Sequence, residues 1–388
     1  MDFTVDPLHD DIRRAVEKIC AGFPDEYWME RDQTQEFPWD FYRAIADGGW
    51  LGLTVPEQYG GGGLGVTEAA IVEQAIAASG AGMNGCSSVH IGIFGLEPVI
   101  KHGSEDLKQR FLPRLVAGDL HVSFAVTEPD AGTDTTNIST FARQVEGGWR
   151  ISGKKVWITK AQEAERLMIL CRTTPRDQAA KRTAGMTLFF APMDPQHVTT
   201  RRIPKLGRNA VDTNELFIDD LFVAGQDVVG EVGDGFRTIL AGLNAERVIA
   251  ANAAIGIGRA ALRRATAYAA QRVVFGRPIG QNQGIAFPLA QALIQLDAAD
   301  LACQKAAWLI DHGQPCGREA NVAKYLAAEA GFFAADAALS AHGGYGYSKE
   351  FHVERYFREA RLMRIAPVSQ EMVLNYLAEH VLGLPRSY

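Results

Sequence analysis

With 388 residues, 47% of them hydrophobic and 22% charged, the chain has ordinary globular composition, which excludes a disordered, collagen-like or coiled-coil protein. Its length exceeds what one hydrophobic core usually serves, so two or three packed units are expected. A net charge of −7 argues against a general role on nucleic acid or membrane surfaces, and an anionic ligand would have to be met by a local cluster such as Arg201, Arg202, Lys205 and Arg208.

The N-terminal stretch Met1 to Asp6 is acidic and has neither an apolar leader segment nor an Arg-rich one. Beyond it, Ile12, Val16, Ile19, Cys20 and Phe23 recur at helical spacing, and the Ala-rich segment Thr67 to Ala78 reads the same way. Ser104 before Glu105 and Asp106 has the form of a helix N-cap. Between these lies the glycine run Gly60 to Gly65. It is read as a flexible connector in preference to a phosphate cradle, because no Lys-Ser/Thr follows it.

Near His121 the texture changes. Phe141 to Val145, Glu146-Gly147-Gly148 and Trp149 to Ile158 form a hairpin pattern around a glycine turn. Leu167 to Cys171, Thr187 to Ala191 and Glu215 to Ile218 are further strand candidates, and long helical patterns return from Gly233 onward. The order is helices, a small β unit, then helices, an α+β chain. Gly256-Ile257-Gly258-Arg259-Ala260-Ala261 fits a loose dinucleotide fingerprint, but helix-forming Ala250 to Ala254 precede it where a strand is required, so its small residues are read as packing residues.

The nine histidines show no metal-ligand spacing, and no G-x-S-x-G elbow occurs, which removes support for a metalloenzyme or a serine hydrolase. Five scattered cysteines without a C-x-x-C pair fit a reduced cytosolic protein. No unbroken apolar run reaches membrane-spanning length. A soluble cytoplasmic protein is expected, with no nucleic-acid or membrane partner.

The most informative string is Phe124-Ala125-Val126-Thr127-Glu128-Pro129-Asp130-Ala131-Gly132-Thr133-Asp134. A strand end followed by Pro, Gly and hydroxyl residues suits a flavin ring edge and a pyrophosphate. The string closely resembles the first signature of the acyl-CoA dehydrogenase family. Lys155-Val156-Trp157-Ile158-Thr159, Gln271 to Gly280, Ala341 to Gly346, Arg358-Glu359-Ala360-Arg361 and Glu371 match in register, so the resemblance is nearly full-length. It implies an N-terminal helical domain (1–118), a middle β domain (119–230) and a C-terminal four-helix bundle (231–388).

The resemblance also implies FAD, held by Phe124, Val126, Thr127, Thr133, Trp157 behind the ring and Thr159 near N5, and by Gln283, Gly343, Gly344, Ser369 and Glu371. Arg272 and Phe275 would reach the FAD of a neighbouring subunit, which implies a homodimer or homotetramer. Many members of the family carry a catalytic glutamate where this chain has Pro367, which can neither take a proton nor donate a backbone N–H. A second subgroup, of isovaleryl and long-chain type, carries its base in a Leu-x-x-Glu-Arg pattern, matched here by Leu243-Asn244-Ala245-Glu246-Arg247. Glu246 is accordingly the candidate base, the alternative being a solvated Glu-Arg face. Leu243, Asn244 and Arg247 become candidates for binding acyl-CoA, as do Ser87 and His90 for lining the acyl cavity. His90 could equally be a core histidine bonded to backbone. The implied reaction is 2,3-dehydrogenation of an acyl-CoA, with an electron-transferring flavoprotein as acceptor. An acyl-CoA oxidase or a non-catalytic flavin or acyl-CoA binder stays open as an alternative.

Overall fold

The computed structural model describes residues 6–94, 96–240 and 242–387, so the acidic stretch 1–5 lies outside the described residues. The first part of the chain is helical, with α1 (Pro7–Cys20), α2 (Asp25–Thr34), α3 (Trp39–Asp47), α4 (Val66–Ile76), α5 (Gly82–Ile93), α6 (Glu97–His102) and α7 (Glu105–Val116). Helix α1 starts where Asp6 accepts a hydrogen bond from the Leu8 N–H, with Pro7 at its first position. It buries Ile12, Val16 and Cys20 on one stripe. Ser104 caps α7 as the sequence suggests, its Oγ accepting the Leu107 N–H at 3.2 Å.

The glycine run is a connector, but a pinned one. The N–H groups of Gly62, Gly63 and Leu64 donate to the carbonyls of Gly52, Val55 and Leu53 at 3.2, 2.9 and 3.0 Å. Backbone bonding of this density leaves it neither flexible nor open as a phosphate cradle.

Helices α4 and α5 meet at a kink through Ala77–Ala81, where Gly80 (φ 112°) and Gly82 (φ 55°) adopt left-handed conformations that a side chain would resist. Two side chains from α12 (Val353–Leu362), a helix near the C-terminal end, hold the joint. Arg355 Nη2 donates to the Gly80 carbonyl at 2.8 Å. Glu359 accepts from the Met83 N–H at 2.6 Å and from Asn84 Nδ2 at 2.7 Å.

The middle of the chain is a sheet of β1 (Val122–Ala125), β2 (Phe141–Val145), β3 (Gly148–Thr159), β4 (Arg166–Arg172), β5 (Met186–Pro192), β6 (Val198–Arg202), β7 (Thr213–Ala224) and β8 (Val228–Val229). The strand order is β6-β7-β3-β2-β4-β5-β8, with β1 parallel to β4. In the hairpin Val145 already pairs with Gly148, so the turn is tighter than the sequence suggests. Strand β7 is also longer than its four-residue apolar signal, since it pairs along β3 and β6 at once.

A buried ion pair joins the sheet to the loop after β1. Lys155 Nζ, on β3, donates to the carbonyls of Val126 (2.9 Å) and Leu170 (2.8 Å) and to Glu128 Oε1 (2.9 Å). Glu128 also accepts the N–H groups of Ser139 and Thr140 at 2.6 and 2.9 Å. Burial alone would raise the Glu128 pKa, but Lys155 and these donors outweigh it and bring it to about 2. Glu128 is thus the hub of its loop, a role the resemblance of the surrounding string does not express.

The rest of the chain is α8 (Gly235–Leu240), α9 (Leu243–Gln271), the small hairpin β9 (Val273–Val274) and β10 (Arg277–Pro278), α10 (Gln283–Asp311), α11 (Gly317–His342), α12 and α13 (Gln370–His380). Helix α9 passes straight through Gly256 and Gly258, as the absence of a preceding strand suggests. A Cβ at Gly258 would lie 3.0 Å from the Cα of Gly331 on α11, and one at Gly256 would lie 2.5 Å from the Gln74 carbonyl oxygen on α4. Helix α10 is long and apolar enough to cross a bilayer, but it carries Asp297 and Asp300, both paired with Arg259 of α9.

Two stability predictions follow from these contacts. Gly256→Ala forces α4 away from α9, so thermal unfolding should show a net loss within the roughly 1–3 kcal/mol cost of overpacking, although helix propensity returns about 1 kcal/mol. A midpoint equal to or above that of the parent protein would contradict the close approach. Glu128→Gln strands Lys155 in the interior and should cost about 3–5 kcal/mol at neutral pH in denaturant unfolding. The folded pKa of Glu128 lies below its ordinary 4.5, so its stabilisation is complete above that value and lost as pH falls toward about 2. The gap between parent and variant should close over the same window.

Candidate active site

A cavity of about 470 Å³ opens where the helical parts meet the sheet. Helix α5 lines it with Met83, Cys86, Ser87 and His90, and the first turn of α9 supplies Leu243 and Glu246. The loop after β1 brings Val126, Thr127, Gly132 and Thr135, strand β3 brings Trp157, Ile158 and Thr159, and the segment after α12 brings Ala366 and Pro367. The walls are mainly apolar.

Trp157 owes its orientation to a bulge. Lys155 pairs with Leu216 and Ile158 with Asn214, so Val156 and Trp157 together face one residue of β7. Trp157 takes φ 63° and leaves its indole 59% exposed. An aromatic face this open inside a cavity calls for a flat partner.

Arg208 is a partly buried cation at the same place. Its Nη1 donates to Ser87 Oγ at 3.3 Å and to Thr159 Oγ1 at 3.2 Å, its Nη2 to Thr213 Oγ1 at 2.6 Å, and its Nε has no partner. Burial lowers its pKa to about 10, which leaves it charged at neutral pH. The other three members of the basic cluster are occupied elsewhere. Arg201 pairs with Glu215, Arg202 donates to the carbonyls of Gln35 and Asn209, and Lys205 donates to that of Val211. The cluster expected to meet an anion therefore does not form, because these side chains point to separate acceptors.

Glu246 is only partly exposed and makes no side-chain hydrogen bond or ion pair among the described residues. Burial raises its pKa, while His90 and Arg247 pull it down in part. Glu73 of α4, which the sequence reading passed over, is 1% exposed, and its carboxylate meets His90 Nδ1 at 3.2 Å. His90 is thus not a core histidine bonded to backbone. The signal for Glu73, an acid that follows the apolar run Ala69 to Val72 within an Ala-rich helix, was present but looked like ordinary helix chemistry.

The cavity brings together Ser87, His90, Phe124, Val126, Thr127, Trp157, Thr159, Leu243 and Glu246. Thr133 is exposed on the same loop, outside the lining. Asn244 and Arg247 lie just beyond the lining, joined by a 2.8 Å bond from Arg247 Nη1 to Asn244 Oδ1. Arg272, Phe275, Gly343 and Gly344 line a second cavity of about 770 Å³. There Phe275 is fully exposed at φ 51°. Gln283 opens α10 on the surface. Ser369 caps α13, its Oγ accepting the Met372 N–H at 3.3 Å, and Glu371 is exposed in that helix's first turn. These last three residues line neither cavity.

The residues present fit FAD. The exposed indole of Trp157 and the hydroxyls of Thr127, Thr135 and Thr159 suit the isoalloxazine ring. A forked cation for a diphosphate is available outside the first cavity at Arg272.

Comparison with known proteins agrees with this geometry. Residues 6–119, 123–221 and 233–382 match family models described as the N-terminal, middle and C-terminal domains of acyl-CoA dehydrogenase. The acyl-CoA dehydrogenase FadE12 of Mycobacterium tuberculosis is 38% identical over 97% of this chain and 96% of its own. A glutaryl-CoA dehydrogenase of Desulfococcus multivorans is 31% identical over the whole of both chains. Butyryl-CoA dehydrogenase from Megasphaera elsdenii superposes with a TM-score of 0.93 at 28% identity, covering 98% of this chain and 100% of that one. With three consecutive domains matched on one fold, the chain belongs to the acyl-CoA dehydrogenase family of FAD-binding oxidoreductases.

Proposed function

We propose that the chain, with FAD bound, dehydrogenates an acyl-CoA thioester between Cα and Cβ to the trans-2-enoyl-CoA, and that Glu246 takes the α-proton. The state of Glu246 carries this reading. Three carboxylates line the cavity. Glu73 is bonded to His90, and Glu97 pairs with Lys101 at 2.6 Å. Glu246 makes no side-chain hydrogen bond or ion pair among the described residues, so its oxygens are free to receive a proton. Burial strengthens it as a base. Its place in the first turn of α9 favours the ionised form.

Bound FAD supplies the hydride acceptor for Cβ. Trp157 and Thr159 would hold the ring, and Ala366 and Pro367 offer the cavity no competing proton acceptor. Pro367 also has no N–H to give a thioester carbonyl, so orientation of that carbonyl falls to other donors. Asn244 and Arg247, coupled on the outer side of Glu246, are assigned to the CoA part of the substrate.

The same reading takes the protein as a cytoplasmic homodimer or homotetramer that passes electrons to an electron-transferring flavoprotein. Five free, buried thiols support a reducing compartment. Phe287, Ile294, Leu301 and Trp308 recur every seven residues along α10, each more than half exposed. An apolar stripe at that period is the form of a helix-to-helix contact.

The test is anaerobic bleaching of the purified flavoprotein by a panel of butyryl-, isovaleryl-, octanoyl- and glutaryl-CoA, followed by turnover with a dye acceptor. At least one thioester should bleach the flavin, and oxygen should not replace the dye. Glu246→Gln should keep FAD and substrate binding but slow bleaching by roughly 10² to 10⁴. Near-normal bleaching would place the base elsewhere. Arg272→Glu should release FAD and weaken assembly together in size-exclusion and absorbance measurements, whereas tightly bound FAD in a monomeric variant would refute the shared site.

A further inference from the structure

Glu73 and His90 have no part in the reaction as drawn, yet they form the one hydrogen-bonded acid–imidazole pair on the cavity wall. Glu73 comes from α4 and His90 from α5, and the pinned kink between those helices brings them together. The bond uses Nδ1 of the ring. Nε2 makes no hydrogen bond among the described residues, and a quarter of the side chain is exposed, on a wall shared with Glu246.

We propose that Glu73 and His90 are a positioning pair for Glu246: the buried Glu73 holds the imidazole through Nδ1, and the ring so held shares the cavity wall with Glu246 and opposes its protonation. The inference rests on the reading of Glu246 as the base. Burial works against the charge on His90, but the hydrogen bond the ring donates to Glu73, the charge of Glu73 and that of Glu246 outweigh it and raise the ring's pKa. For Glu246, burial pushes the pKa up, and His90 and then Arg247 oppose it. The remaining charged neighbours do not replace His90. Arg208 acts on the ring in the opposite sense, Arg247 is engaged by Asn244, and Glu97 is engaged by Lys101. Glu73 is held against the Nδ1 side of the ring, where its carboxylate is engaged.

The reading resolves a conflict in the site. A base in a dry cavity gains strength from desolvation but stops being a base once it is protonated at working pH. One opposite charge, held in place by a hydrogen bond at Nδ1, sets where that limit falls.

The experiment is the pH dependence of anaerobic flavin bleaching in the FAD-loaded enzyme, with the most reactive thioester of the panel. In the parent protein the rate should fall on the acid side as Glu246 protonates. His90→Gln removes the opposing cation, so this acid limb should move to higher pH by on the order of 1 unit. At alkaline pH, where the ring of the parent protein is itself neutral, the two rates should converge. Glu73→Gln should move the limb the same way by less, because it frees the ring of its proton while removing a more distant negative charge. FAD content and the visible spectrum should be unchanged in both variants. An unmoved acid limb in both, with Glu246→Gln still inactive, overturns the pair and leaves the base assignment standing. Normal bleaching by Glu246→Gln overturns the base assignment and this proposal with it.

Discussion

Close approach of helix α9 to its neighbours is the constraint from which the rest of the arrangement follows. Its buried residues are mostly small, with Ala251, Ala253, Ala254, Ala260, Ala261 and Ala265 buried alongside Gly256 and Gly258, and Val248, Ile249, Ile255 and Ile257 as the larger ones. Backbones can therefore come within contact of α4 on one side and α11 on the other. A helix packed this tightly cannot rotate without clashes along its length. Its first turn, which carries Glu246, is fixed by packing many residues away, and no hydrogen bond is needed to hold the carboxylate itself. The proposed base has no partner among the described residues, so the scaffold, and not a partner, aims it.

The site divides its tasks among elements of different rigidity. Strand β3 is pinned through the Lys155–Glu128 pair, and the bulge two residues later turns Trp157 outward. The apolar ring face and the proposed proton acceptor thus come from separate layers, one from the sheet and one from the bundle. A cavity formed at such a junction can be apolar on most of its wall and still present single polar groups at chosen points. The second cavity, with Phe275 wholly exposed beside Arg272, is open in the same sense. Its aromatic side chain has nothing of its own chain to rest on.

Much of the fold was legible because its signals are local. The capped helix after Ser104, the 141–158 hairpin and the helical run through Gly256 rest on turn chemistry and periodicity. Strands β6 and β8 were not legible: Val198 to Arg202 is polar along an edge, and Val228 to Val229 is two residues long. The glycine run was misjudged because its order comes from carbonyls at 52 to 55, which composition does not show. Within the site, the motif residues that line the first cavity were found by resemblance. Arg208 was grouped with basic neighbours whose acceptors lie in different directions. The Glu73–His90 contact spans 17 positions across a kink, and neither helix period connects them. Ser369 and Glu371 matched a motif, yet in this single chain they serve a helix start.

The kinked joint between α4 and α5 has a consequence for how such an enzyme can diversify. Arg355 and Glu359 of α12 fix the joint from outside the cavity, so the direction of α5 does not depend on the side chains α5 presents to the cavity. Met83, Cys86, Ser87 and Ile91 can drift in size and polarity while the carboxylate on α9 and the indole on β3 keep their places. On the proposed reading, the wall that would meet the acyl group and the groups that would act on it are separable parts. A lineage can therefore change which thioesters it accepts through substitutions on a single short helix, without having to rebuild its chemistry.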